Sequence, residues 1–151
     1  MPRTPRLLKE EGRKMQDSNS DRIRKEPSPE VDALAREVIG AAIEVHRILG
    51  PGYLECVYED ALCVELELGG IPLSRQVVFG VEYKGKCVGE SRLDLLVANQ
   101  LIVELKAVEE LLPVHKAQVI SYLKATGREL GLLINFNVPV LKDGVKRVVL
   151  S

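Results

Sequence analysis

Arg92-Leu93-Asp94-Leu95-Leu96-Val97-Ala98-Asn99-Gln100-Leu101-Ile102-Val103-Glu104-Leu105-Lys106 is two apolar runs joined at Asn99-Gln100. Each run has the length and Val/Leu/Ile content of a strand, and a short turn between them pairs the two antiparallel. Side chains two apart on a strand share a face, so Glu104 and Lys106 project together, and alternation groups Asp94 with Arg92 and Leu96. Pairing about residue 99 sets Asp94 almost opposite Glu104, where cross-strand Cβ atoms are about 5 Å apart. Two carboxylates that close repel unless a cation intervenes, and unpaired charge in a buried sheet is costly. The compensation is either a metal ion with its substrate phosphate or an ordinary internal ion pair.

Upstream, Val31, Leu34, Ala35, Val38, Ala42, Val45 and Leu49 recur at helical spacing until Gly50-Pro51-Gly52 stops the helix. A second helix is expected from about Tyr53 to Leu68, closed by Gly69-Gly70, with Val57, Ala61, Val64 and Leu68 on its main apolar face. Residues 73–83 and 86–98 read as strands around a Lys84-Gly85 hairpin turn. Pro113 precedes a helix from about Val114 to Thr126 that ends at Gly127. Strands Leu132 to Phe136 and Val145 to Leu150 follow, separated by Asp143-Gly144. The order is ααβββαββ.

Residues 1–29 are rich in Pro, charge, Ser and Asn and too poor in large apolar groups to offset the entropy of ordering, so a flexible tail is expected ahead of one domain over 30–151. The 151 residues, 46% hydrophobic, suffice for one core. Near-balance of 21 Lys+Arg against 22 Asp+Glu excludes a bulk positive field, so any nucleic-acid contact is local. Cys56, Cys63 and Cys87 form no CxxC pair, and no signal-peptide pattern is seen, which makes a cytoplasmic setting the expectation. Apolar runs fall far short of the roughly 20 residues that cross a bilayer, so no membrane partner is expected.

Mg²⁺ takes oxygen ligands, usually one or two carboxylates with waters and substrate phosphate, and Asp94 with Glu104 supplies such a set. Lys106 beside them is placed to orient an attacking water or neutralise charge growing on phosphate. Glu55 falls in line with Leu62 and Leu66 on the helical wheel; it either points inward toward the site or is a first-turn glutamate favoured by the helix dipole. His115, Gln118 and Tyr122 form a polar stripe beside Val119, Ile120 and Leu123. His46, within an apolar stripe, is expected to be a hydrogen-bonded core histidine, and Tyr58 to pack, although its hydroxyl lies one turn from Glu55. Lys116, Lys124 and Arg128 form either a local basic rim or solvated surface charge. Motifs of the GxxxxGK, HExxH and GxSxG types are absent, and 4% aromatic content argues against extensive base stacking.

Asp94 followed by Glu104-Leu105-Lys106 resembles the D…(E)xK signature of the PD-(D/E)XK nuclease superfamily. More narrowly, Gly52-Tyr53-Leu54-Glu55-Cys56-Val57-Tyr58, with His46-Arg47-Ile48-Leu49-Gly50-Pro51 and Asn135-Phe136-Asn137-Val138-Pro139, resembles the small GxxExxY protein family over about Val31 to Ser151. Gln118-x-x-x-Tyr122 is similar to the QxxxY motif of RecB-type and lambda-exonuclease-like branches. One departure is Ser91, where the RecB-type branch usually carries the glycine of GxxD.

The resemblance implies an α/β (α+β) fold with a nuclease-like core, a mixed central sheet flanked by helices. It implies metal binding by Glu55, Asp94 and Glu104, with Mg²⁺ (or Mn²⁺) as cofactor, Lys106 assisting the water, and Gln118 and Tyr122 orienting the site. The implied activity is hydrolysis of phosphodiester bonds in nucleic acid, DNA in the first place. The alternatives are a catalytically inactive module of the same fold that binds nucleic acid or a partner protein, and a structural subunit whose charges merely pair. A core of this size leaves little room for recognition elements, so a homodimer or associated protein is a plausible complement.

Overall fold

The computed structural model describes residues 26–150, so most of the expected flexible tail lies outside the described residues. Ser28 and Pro29, read as the end of that tail, instead start helix α1 (Pro29–Leu49). Ser28 Oγ accepts the Val31 N–H at 3.3 Å, and proline in the first turn loses nothing because its missing N–H has no intrahelical partner. Gly50, at φ 72°, ends the helix with its N–H on the His46 carbonyl.

Helix α2 (Glu55–Leu68) starts at Glu55 rather than Tyr53 and buries Tyr58, Glu59, Leu62, Cys63 and Leu66. The apolar face expected from Val57, Ala61, Val64 and Leu68 is therefore not the buried one: Val64 is 55% and Leu68 78% exposed. The buried stripe includes a tyrosine stacked on Phe136, with centroids 4.6 Å apart, and a paired carboxylate. Counting aliphatic residues alone misses both.

Strands β1 (Leu73–Tyr83), β2 (Lys86–Val97) and β3 (Leu101–Lys106) form a meander, followed by helix α3 (Pro113–Thr126), β4 (Leu130–Asn135) and β5 (Val145–Val149). β4 begins at Leu130 rather than Leu132, and a 3-10 turn over Leu141–Gly144 leads into β5. The five strands lie in sequence order across one sheet. Only the β3–β4 pair, joined by the α3 crossover, is parallel. Lys84 and Gly85 both have positive φ, as a two-residue hairpin between Tyr83 and Lys86 requires. The result is the mixed α/β sheet flanked by helices that the resemblance implied.

Leu101, Val103 and Leu105 of β3 pack in the cluster containing α1 and α2, while Ile102 packs in the cluster containing α3. Alternation along β3 thus assigns Glu104 and Lys106 to the α3 face. Simple alternation fails in β2, because Leu93 and Leu96, three apart, share the α3-side cluster. The irregularity sits opposite Gln76, which adopts φ 51° between the paired residues Arg75↔Leu95 and Val77↔Leu93. Asp94 lies between Leu93 and Leu95, opposite Gln76 in that register.

Helix α3 lies close over β4 because Gly131 has no side chain; a Cβ there would stand 2.6 Å from Val119 Cγ1. Gly131→Ala is expected to lower unfolding free energy by about 1–3 kcal/mol through overpacking. Adding Val119→Ala makes room for the new methyl, so in urea titrations the double variant should be more stable than the sum of the single losses predicts.

Candidate active site

The β2–β3 backbone ladder runs through Val97↔Leu101, Leu96↔Ile102 and Leu95↔Val103 and then stops. The next residues on each strand are Asp94 and Glu104, and their carboxylates continue the pairing in place of carbonyls. Asp94 N–H donates to Glu104 Oε1 at 3.2 Å, and Leu105 N–H donates to Asp94 Oδ2 at 2.9 Å. The neighbours expected from the hairpin register are thus adjacent in space, each held by the other strand's backbone.

Lys106 Nζ stands 3.9 Å from Glu104 Oε2 and donates to Gln118 Oε1 at 3.2 Å. Gln118 and Tyr122 come from α3, one turn apart. Tyr122 is buried and packs edge-on against Phe79, with centroids 5.3 Å apart. Ser91, where the RecB-type pattern has glycine, and Gln118 both lower the Tyr122 hydroxyl, against the larger effect of burial. An open groove of about 420 Å³ runs beside Lys106, lined by Val114, His115, Ala117, Gln118 and Ser121.

Glu55 enters from the first turn of α2, half-buried, and feels the charges of Asp94, Lys106 and Glu59. Its position depends on a loop latch. Tyr58 OH donates to the Gly50 carbonyl at 2.6 Å and accepts from Tyr53 N–H at 3.0 Å. That hydroxyl is committed to the Gly50–Tyr53 loop and so does not serve the Glu55 carboxylate, the alternative the helical spacing had left open.

Three carboxyls share this region, and each is harder to ionise than usual. Burial, then the Asp94 charge, pushes Glu104 up to about 8; only 4% of Glu104 is exposed. Burial is also the first cause for Asp94 and for Glu55, opposed at Asp94 by the Leu105 N–H and at both by Lys106. The same desolvation raises the Tyr122 hydroxyl.

Two groups beside the site were not read from the sequence. Glu59, buried on α2, accepts from Arg75 Nε at 3.1 Å and from Gln76 Nε2 at 3.0 and 3.2 Å. Gln76 Nε2 also lies 3.4 Å from Asp94 Oδ1. The only sequence signal for Glu59 is its spacing, one turn beyond Glu55 on the same helix. Other candidates lie elsewhere: His46 is buried with Nε2 2.7 Å from the Val138 carbonyl. Arg128, grouped with a basic rim, is turned onto Thr126 O and Asn99 Oδ1, while Lys116 and Lys124 are exposed. Cys56, Cys63 and Cys87 are free thiols.

A helix, a three-stranded meander bearing Asp94 and Glu104-Leu105-Lys106, a crossover helix and a parallel strand are the arrangement of a nuclease-like domain. The family model described as the PD-(D/E)XK nuclease superfamily matches residues 32–148, and the chain belongs to that superfamily. No match was found among curated proteins or solved structures. No helix among the described residues is long and apolar enough to cross a membrane.

PD-(D/E)XK nucleases usually use divalent metal ions. Among the described residues no three His, Cys, Asp or Glu side chains stand as a ready group for such an ion. The chemistry of the donors nevertheless fits one: they are all carboxylate oxygens, and burial and mutual repulsion hold back their ionisation. A hard cation favours the ionised form of such a set.

The sign of the pH dependence follows. Without metal, folded Glu104 keeps its proton up to about 8, whereas an unfolded glutamate loses it near about 4.3. Stability is full in acid and falls as pH rises through that window. Urea unfolding in chelator should show wild type losing on the order of 2–4 kcal/mol between about pH 5 and about pH 8. Glu104→Gln, which mimics the protonated acid, should lose less than half of that.

Proposed function

We propose that the protein is a Mg²⁺- or Mn²⁺-dependent nuclease that hydrolyses phosphodiester bonds of nucleic acid, with DNA as the substrate, and that it belongs to the GxxExxY group of its superfamily. The observation that carries the reading is the half-buried Lys106 ammonium held between Glu104 and Gln118, beside carboxyls whose ionisation burial opposes. A mere internal ion pair would need one acid, whereas here Asp94 and Glu55 share the region as well. The GxxExxY motif also has a physical account: Gly52 adopts φ 112°, Glu55 opens α2, and Tyr58 fastens the loop between them.

In this reading Glu55, Asp94 and Glu104 hold the cation. When bound, it would polarise a phosphoryl oxygen and acidify water. Lys106, directed by Gln118, donates to the attacking water or to the phosphoryl oxygen as charge develops there. Tyr122, packed edge-on against Phe79, fixes α3 one turn beyond Gln118. Cleavage of plasmid, linear and single-stranded DNA, and of RNA, with Mg²⁺ or Mn²⁺ tests the proposal. Lys106→Ala should reduce the rate by about 10²–10³-fold; equal cleavage by the variant, or no cleavage of any substrate, would sink it.

A second reading is favoured by one observation: Asp94 and Glu104 each already accept a backbone N–H, and no ready metal group stands among the described residues. It makes the domain a silent module that binds nucleic acid or a partner protein through the same groove. Calorimetry separates the two. Mg²⁺ uptake abolished by Asp94→Asn and Glu104→Gln supports the nuclease, whereas nucleic-acid binding indifferent to metal and to both changes supports the module.

A further inference from the structure

Gln76 departs from its surroundings in two ways that meet at one place. Its backbone takes the left-handed φ of 51° inside β1, where a non-glycine residue pays a steric penalty. Its carboxamide nitrogen lies 3.0 and 3.2 Å from the two oxygens of Glu59 and 3.4 Å from Asp94 Oδ1. Carboxylates only accept, so the amide's NH₂ end must face them, one hydrogen available to each acid. Glu59 is fixed in turn by Arg75 Nη2 at 3.0 Å. One side chain thus ties β1 to α2, the helix that opens with Glu55, and to the strand that carries Asp94.

We propose that Gln76 is a positioning residue for the candidate site, its carboxamide spacing Asp94 from Glu59 and holding the Asp94 carboxylate in the orientation that accepts the Leu105 N–H. The inference deepens the nuclease reading and rests on it: a carboxylate held this way offers a cation a fixed oxygen. A purely structural kink in the strand would be served better by glycine, which adopts this φ without strain. Gln76 itself is exposed, so burial does not explain why a glutamine stands there. The two acids do, because neither can donate to the other.

Gln76→Gly separates the roles, since it relieves the backbone and removes the amide together. Its melting temperature should equal or exceed that of wild type. Mn²⁺ affinity by calorimetry should fall about tenfold, the scale on which a ligand's supporting partner acts. Amide hydrogen exchange at Leu105, whose N–H rests on Asp94, should quicken. Unchanged Mn²⁺ affinity in the variant overturns the proposal. If wild type takes up no Mn²⁺, the metal reading falls, and Leu105 exchange alone then decides: faster exchange supports positioning of Asp94 by Gln76, and equal exchange overturns it.

Discussion

The reciprocal bonds between Asp94 and β3 and between Glu104 and β2 are the constraint on which the site depends. At Leu95↔Val103 the strands stop exchanging backbone hydrogen bonds, yet the N–H groups beyond still need acceptors in a largely water-free setting. Carboxylates fill that need. The arrangement anchors two acids without extra scaffold, and it makes their ionisation a matter of strand pairing as well as of solvent. Burial and the neighbouring negative charge outweigh the help from the N–H and from Lys106, which is why Glu104 sits near neutrality.

The rest of the molecule brings further groups to that junction. The α3 crossover that makes β3 and β4 parallel also delivers Gln118 and Tyr122 alongside Lys106. Asn135, fully buried at the end of β4, accepts from Val108 N–H at 3.0 Å and donates to Val108 O at 2.9 Å. The chain is thereby held immediately after Lys106, before it turns toward α3. Its neighbour Phe136, whose N–H donates to the Lys106 carbonyl, stacks on Tyr58 and so links the end of β4 beside Lys106 to the helix that bears Glu55.

Much of this was legible in the sequence because it rests on short-range rules. The hairpin about Asn99 follows from turn length, so the proximity of Asp94 and Glu104 could be read from spacing alone. The order of elements followed from period and breakers. What escaped was set by side chains reaching between elements distant in sequence. The buried face of α2 depends on Phe136, and the roles of Glu59 and Gln76 depend on Glu59 of α2 meeting Arg75 and Gln76 of β1. No pattern within β1 announces a left-handed glutamine, since an amide's worth there is set by two acids seventeen and eighteen positions away. Ser28 and Pro29 escaped for the opposite reason, their composition suiting a tail as well as a helix start.

The loop between α1 and α2 has a consequence for how the site is divided. Asp94, Glu104 and Lys106 ride on paired strands, whereas Glu55 rides on a helix whose first turn has no side-chain cap. That turn is registered through Tyr58, which grips Gly50 and Tyr53. The site is therefore mounted on two elements, paired strands and a helix, tied to each other through Glu59 and Gln76. A change in loop length between Gly50 and Glu55 would strain Glu55 first and reach Asp94 only through the tie from Glu59 to Gln76.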